Sequence, residues 1–225
     1  VQYGRDMLNL LHGDMGVSYR TGAPVVTEIA ARLPNTICLA LVASVVSIVL
    51  AIPLGIIAAI KQNSIFDGIC MVVSLIGVSM PSFWLGLLLI LLFSLRLEWL
   101  PSFGADQWQC IILPSFALAV ASMASVARTV RSSMLEVIRQ DYIRTARSKG
   151  LSEGTVIRRH ALRNAMIPTM TSIGLQTGIL LSGSVLVETV FSWPGIGRLM
   201  ITSIQPRAIP TVVGCIIIFA ICFSI

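Results

Sequence analysis

Residues 36–60 read TICLALVASVVSIVLAIPLGIIAAI, a stretch without a single charged side chain. An α-helix needs about 20 consecutive, mainly apolar residues to cross the roughly 30 Å hydrocarbon core of a bilayer. This stretch is longer than that minimum, so it predicts a membrane-spanning helix.

Four further stretches share this apolar composition, and they cover residues 68–95, 111–127, 165–187 and 208–225. The second and fourth of the five stretches are long enough to span a bilayer. The third is long enough if Thr129 and Val130 lie at the interface, and the fifth if the chain continues beyond residue 225. Because the sequence begins at Val1 and ends within an apolar run, we expect a fragment that has lost material at each end.

The overall composition agrees with a membrane protein. Of the 225 residues, 56% are hydrophobic and 12% are charged, whereas about 25% of the residues of a soluble domain are charged. The net charge of +6 fits basic cytoplasmic loops better than a nucleic-acid partner. The five cysteines and two histidines show no metal-ligand spacing. We therefore predict an all-α polytopic membrane protein with no metal site and no nucleic-acid partner.

The basic residues predict the orientation of the chain. Nine of the 16 lysines and arginines lie between the third and fourth stretches, and the positive-inside rule assigns such a loop to the cytoplasm. These nine are Arg128, Arg131, Arg139, Arg144, Arg147, Lys149, Arg158, Arg159 and Arg163. Residues 1–35 then lie outside, as do the loops that carry Trp99, Trp108 and Trp193. These tryptophans fit the aromatic belt at the membrane interface.

The basic loop itself has a helical pattern. Its apolar residues recur at helical spacing at Met134, Leu135, Ile138 and Tyr142. Gly150 can end a helix in the left-handed conformation, and Ser152 followed by Glu153 is a candidate N-cap for the next helix. The pattern predicts two short helices joined by a tight corner at Gly150 and Leu151. Such a corner fits a groove on a partner protein, although helices lying on the membrane surface would show the same pattern.

Two parts of this loop resemble a known family. Residues 141–153 (DYIRTARSKGLSE) and 160–168 (HALRNAMIP) resemble the EAA loop of binding-protein-dependent ABC importer permeases. Thr145 stands where that loop usually has glutamate, and Leu162-Arg163 replaces the usual Leu-Pro. Both departures resemble the peptide/nickel branch of the family, which includes dipeptide and oligopeptide permeases.

Three other motifs resemble the same family in the same order. They are residues 13–18 (GDMGVS) with 32–36 (RLPNT), residues 77–84 (GVSMPSFW) and residues 188–198 (ETVFSWPGIGR). The resemblance implies a MetI-like transmembrane domain of a type I ABC importer, with five spans visible in a fragment of a six-span subunit. By this alignment, residues 1–35 form an external segment, residues 36–225 form the transmembrane domain, and residues 132–165 form its cytoplasmic coupling loop.

The resemblance also implies partners and an energy source. It pairs the chain with a second homologous permease, two ATPase subunits and an external solute-binding protein in a bacterial or archaeal cytoplasmic membrane. The sequence has no G-x-x-x-x-G-K-[ST] phosphate loop, and none of the five stretches contains Asp, Glu, Lys, Arg or His. We therefore expect a transport subunit that is not an enzyme and binds no cofactor, with ATP and Mg used by the partner ATPases.

The candidate site residues form three groups. The coupling group, expected in or beside the ATPase groove, is Arg144, Thr145, Ala146, Arg147, Gly150, Leu151 and Glu153. The candidate path residues of the fourth stretch, which an interhelical hydrogen bond would explain equally well, are Thr169, Ser172 and Gln176. Ser122 and Ser125 of the third stretch are weaker candidates, because a serine hydroxyl can bond to its own helix. The small residues predicted to allow close helix packing are Gly174, Gly178 and Ser182.

The cargo stays open at this point. The branch handles short peptides, nickel or metal chelates, and we favour di- or oligopeptides over nickel. An ion-coupled secondary carrier would need internal repeats or a broken-helix ion site. A membrane-embedded enzyme would need converging catalytic side chains. The sequence shows neither feature.

Overall fold

The computed structural model describes residues 15–19 and 21–224. Residues 1–14 and Arg20 of the predicted external segment lie outside the described residues, and so do the first two residues of the 13–18 motif and Ile225. The regular secondary structure of the described chain is helical, apart from a single antiparallel bridge between Val17 and Pro24. Its helices are α1 (Val25–Ile60), α2 (Ile65–Ser79), α3 (Ser82–Arg96), α4 (Trp108–Ile138), α5 (Asp141–Ser148), α6 (Glu153–Val190), α7 (Ile196–Ile204) and α8 (Ile209–Ser224).

Three of the predicted spans are confirmed as long apolar helices. Helices α1, α4 and α6 are each long and apolar enough to cross a membrane. Helix α8, the fifth predicted stretch, is apolar but has 16 described residues, which corresponds to about 24 Å of helix. The all-α fold is therefore confirmed for the described chain.

The second predicted span is not one straight helix. Helices α2 and α3 meet at an angle of 102°. The break falls at Met80, whose backbone is extended (φ −87°, ψ 121°) and which directly precedes Pro81. A residue before proline is pushed out of the helical region, and proline has no N–H to continue the ladder. The hydropathy pattern predicted one span over both helices, because the residues on each side of the break are apolar.

Helix α1 begins before the predicted boundary at residue 36. It starts at Val25 and runs through Pro34. Val25 and Ile29 are buried beside Gly214 of α8, where added side-chain bulk would collide with both. Tertiary packing therefore extends the helix into the segment predicted to be external.

The basic loop differs from the predicted pair of short helices. Helix α4 continues to Ile138 because Val130 and Met134 remain buried beyond the apolar stretch. Only α5 is short. The second helix is the beginning of α6, which passes through a π-helical turn at Val156–Ala161 and continues into the fourth span.

Helices α1 and α4 approach each other closely at Gly55. A β-carbon at Gly55 would lie 2.6 Å from both the carbonyl oxygen of Ala127 and the β-carbon of Val130. Real side chains do not tolerate such distances, so glycine is required here. The same contact region is lined by Ala51 and Ala59 of α1, both buried. Small residues thus let two spanning helices pack backbone to backbone.

Glu188 is a buried carboxylate near the end of α6, although the sequence predicted it in an outer loop. Its side chain is fully buried. One carboxylate oxygen accepts hydrogen bonds from the hydroxyls of Thr36 (2.8 Å) and Ser184 (3.0 Å). The other accepts one from the backbone N–H of Arg198 (3.1 Å). The carboxylate thereby joins α1, α6 and α7, and it satisfies donors that have no water to bind.

The loop after α6 is attached to α1 by a second set of bonds. The indole N–H of Trp193 donates to the carbonyl of Asn35 at 3.0 Å, and the Asn35 amide donates to the carbonyl of Pro194 at 3.0 Å. Trp193 is only 6% exposed. Its predicted place in the interfacial belt is therefore wrong, whereas Trp99 and Trp108 are 70% and 75% exposed.

Glu188→Gln should lower the melting temperature of the purified protein by about 5 °C, because the new amide donor faces groups that already donate. Size-exclusion chromatography after heating in detergent measures this shift. Glu136→Gln makes the same chemical change on an exposed turn of α4 and should leave the melting temperature unchanged. Equal melting temperatures for the two variants would contradict a structural role for the Glu188 carboxylate.

Candidate functional site

The predicted corner is present between α5 and α6. Helix α5 ends at Ser148, and Gly150 adopts a left-handed backbone with φ +76°. Its N–H donates to the carbonyl of Arg147 at 2.9 Å, which closes the turn. Glycine takes this conformation without steric cost. The chain then reverses into α6 within the next two residues, and Leu151 at the tip is 40% exposed.

An ion pair spans this corner. The guanidinium of Arg147 donates to both carboxylate oxygens of Glu153, at 2.7 and 3.4 Å. Both side chains are substantially exposed, at 39% and 63%. An exposed pair of this kind contributes little to stability. Its geometric effect is to fix the end of α5 beside the start of α6.

Most of the predicted coupling residues face outward, and one does not. The exposed members are Arg144, Thr145, Arg147, Gly150, Leu151 and Glu153. The side chain of Ala146 is buried in a cluster with Ile143, Val156 and Ala161 of the same chain. Placing Ala146 in a partner's groove is therefore wrong, because it packs α5 against α6 instead.

The predicted N-cap at Ser152 is only partly correct. Ser152 precedes α6, but its hydroxyl accepts no hydrogen bond from the helix backbone. It pairs with the hydroxyl of Thr155 at 3.0 Å, while the Thr155 N–H donates to the Ser152 carbonyl at 2.9 Å. The first turn of α6 is thus closed by a backbone hydrogen bond and not by the side chain of Ser152.

A second ion pair, which the sequence analysis missed, lies between α2 and α4. The guanidinium of Arg131 donates to both oxygens of Asp67, at 2.6 and 2.7 Å. Asp67 also accepts a hydrogen bond from the backbone N–H of Asn63 at 3.1 Å. The Asp67 side chain is only 6% exposed. The sequence could have indicated this pair, because Asp67 and Arg131 lie at the same predicted membrane boundary.

A polar cavity of about 280 Å³ lies between α3, α4 and α6. Three of the five candidate path residues line it, namely Ser122, Ser125 and Gln176. Arg128 and Ser82 complete its polar lining, and we call this space the polar cavity. The structure thus brings together residues from two predicted spans that are far apart in sequence.

The other two candidate path residues do not line the polar cavity. Thr169 is fully buried, and its hydroxyl donates to the carbonyl of Ala165 at 2.8 Å. The hydroxyl of Ser172 lies 3.4 Å from that of Thr129 on α4. Both therefore fit the alternative interpretation, in which polar side chains within the spans form hydrogen bonds inside the helix or between helices.

The small residues of α6 pack closely at one position within the described chain. A β-carbon at Gly178 would lie 3.5 Å from the ring of Phe223 in α8. Gly174 and Ser182 are exposed, and nothing in the described chain lies within 4 Å of a β-carbon at Gly174. The predicted packing against another helix of this chain is therefore absent at Gly174 and Ser182.

Asp67→Asn should lower the melting temperature by about 5 °C, because it leaves the half-buried guanidinium of Arg131 without a counter-charge. The matched control is Glu153→Gln, which removes the carboxylate from a similar bidentate pair at an exposed position and should change the melting temperature little. If Asp67→Asn is as stable as the wild type, the ion pair does not hold α2 to α4.

Comparison with known proteins agrees with these features. Residues 51–225 match the family described as binding-protein-dependent transport system inner membrane component. The chain is 44% identical to the dipeptide transport system permease protein DppB of Alkalihalophilus pseudofirmus, covering 99% of this chain and 75% of that protein. It is 45% identical to the glutathione transport system permease protein GsiC of Escherichia coli K12, covering 99% of this chain and 72% of that one.

Two solved structures share the fold. The MetNI methionine ABC transporter in inward-facing conformations matches with a TM-score of 0.71, over 88% of this chain and 91% of the matched chain. An amino acid ABC transporter with histidines matches with a TM-score of 0.65, over 88% and 89%. Sequence identity is 17% in both cases, so these matches establish the fold alone. The chain belongs to the binding-protein-dependent transport system inner membrane components, the multi-pass permease subunits of ABC importers, and it is a transport protein rather than an enzyme.

Proposed function

We propose that this permease forms part of the path by which di- or oligopeptides enter the cell. The observation that carries this proposal is the match to a dipeptide permease and a glutathione permease at 44% and 45% identity over 99% of the chain. Glutathione is itself a short peptide, so the two relatives name cargo of one chemical class. Thr145 and Leu162-Arg163 in the coupling loop also resemble the peptide/nickel branch of the family.

The proposed assembly contains a second permease of the same family, two ATPase subunits and an external solute-binding protein. Importers of this family generally combine such parts. ATP and Mg would be used by the ATPase subunits, and cargo would arrive from the binding protein. This chain would contribute the coupling loop, residues 132–165, and one half of the path.

The proposed coupling element is the corner between α5 and α6. Its tip presents an apolar side chain, Leu151, with Arg147 and Glu153 beside it, which suits insertion into a groove on an ATPase. The helix that starts at the corner also carries Gln176 in the polar cavity. A displacement of the corner would therefore reach the path through one continuous helix.

The cargo is tested by uptake in cells that lack this permease. Restoring the gene should restore ATP-dependent accumulation of radiolabelled trialanine, because a peptide importer cannot work without its permease. Uptake of ⁶³Ni²⁺ by the same cells should not change. Restored nickel uptake without trialanine uptake would contradict the peptide proposal and support the nickel alternative.

The coupling role is tested by two valine substitutions. Gly150→Val should uncouple ATP hydrolysis from uptake, because a β-branched residue strongly disfavours the left-handed backbone at φ +76°. Gly154→Val adds the same atoms, also into open space, but at a helical position, and should retain coupling. The measurement is trialanine taken up per ATP hydrolysed in proteoliposomes.

Gly150→Asn should restore part of the coupling, because asparagine tolerates the left-handed region better than valine. Normal coupling in Gly150→Val, at normal amounts of assembled complex, would contradict a role for the shape of the corner.

A further inference from the structure

Arg128 is a half-buried arginine without a partner in the described chain. It lies on α4 and lines the polar cavity, and its guanidinium makes no hydrogen bond or ion pair with any described residue. Arg131, one turn further along the same helix, has both arms bound by Asp67. Arg128 therefore keeps all five of its N–H donors and its full charge available.

The other polar side chains of the cavity are also free to donate. Gln176 and Ser125 have no side-chain hydrogen bond within the described residues. Ser122 accepts a bond from the hydroxyl of Ser47 at 3.0 Å, which leaves its own proton available. No acidic residue of the described chain lines this cavity. The cavity thus offers a positive charge and several donors without a carboxylate, which suits an anionic group.

The cavity has the size and lining for the end of a small molecule. Its volume of about 280 Å³ lies just below the usual range for ligand pockets, which begins near 300 Å³. Leu118, Ile179 and Leu180 provide an apolar surface beside the polar groups. A carboxylate and one adjoining side chain fit such a space, whereas a whole oligopeptide is too large for it.

We propose that Arg128, with Gln176 and Ser125, forms a subsite in the translocation path that binds the carboxylate of a peptide cargo. This inference rests on the proposed peptide function and adds a specificity residue to it. The guanidinium would bind both carboxylate oxygens in its bidentate geometry. Because Gln176 belongs to α6, movement of that helix by the corner would change the subsite and release the carboxylate.

A lipid phosphate is the main competing anion. Arg128 directly follows an apolar stretch, and arginines at helix ends often reach lipid headgroups. Two observations favour cargo. The cavity extends along α4 as far as Leu118, about 15 Å deeper into the span. Along this length, Ser122, Ser125 and Gln176 add hydroxyl and amide groups beyond Arg128.

The first test measures uptake by the complete reconstituted importer. Arg128→Gln should lower trialanine uptake about ten-fold or more, because a hydrogen-bonded charge contact is lost. ATP hydrolysis stimulated by the loaded binding protein should stay within about two-fold of the wild type, because the substitution leaves the corner between α5 and α6 unchanged. Arg128→Lys should recover part of the uptake, since it keeps the charge without the bidentate fork.

The control is Arg96→Gln, which removes one positive charge from an exposed site on the predicted external side and should leave uptake unchanged. Equal uptake by Arg128→Gln and wild type overturns the subsite. An equal loss of uptake and stimulated ATP hydrolysis also overturns it, because Arg128 would then act on the ATP-driven cycle as a whole and not on cargo alone. A wild-type complex that hydrolyses ATP but accumulates no trialanine contradicts the proposed function itself.

The second test detects the anion directly. Ser125→Cys should react faster with a negatively charged methanethiosulfonate than with a positively charged one, after subtraction of labelling of the native cysteines. Adding Arg128→Gln should abolish this preference. Trialanine should protect the cysteine better than trialanine amide in nanodiscs of neutral lipid. Protection by anionic lipid, with equal effects of the two peptides, would assign the site to a headgroup and overturn the proposal.

Discussion

The continuity of helix α6 is the constraint on which the rest of the structure depends. Its 38 residues run from Glu153 at the corner to Val190, a length of about 57 Å. The hydrocarbon core of a bilayer accounts for about 30 Å of that length. The remainder projects beyond the membrane and carries the corner. One helix therefore connects an exposed basic surface, a polar cavity and the buried carboxylate of Glu188.

The helix is held by apolar packing at one end and by polar contacts at the other. At one end, Ala146 and Val156 pack α5 onto its first turns. At the other, Glu188 binds donors from α1 and α7. Helices α1 and α4 pack closely at Gly55, and the Asp67–Arg131 pair ties α2 to α4.

Hydropathy and turn chemistry predicted much of this structure. The apolar stretches located α1, α4 and α6, and Gly150 located the corner, because both signals are local. The continuity of α6 was not predicted, because Arg158, Arg159 and Arg163 resemble a loop in a hydropathy pattern while their helix continues into the membrane. Glu188 and Asp67 were assigned to boundaries, since burial of a carboxylate depends on partners far away in sequence. Ser122, Ser125 and Gln176 line one cavity, whereas Thr169 satisfies its hydroxyl within its own helix.

We expect α6 to transmit movement of the corner to the polar cavity as a continuous helix. This transmission is tested by comparing Arg163→Gly/Ile167→Gly with Arg163→Ala/Ile167→Ala at two exposed positions between the corner and the polar cavity. Each glycine weakens a helix by about 1 kcal/mol relative to alanine. Transmission through a continuous helix predicts that trialanine taken up per ATP hydrolysed falls in the glycine pair and stays normal in the alanine pair. A normal ratio in both pairs would contradict it.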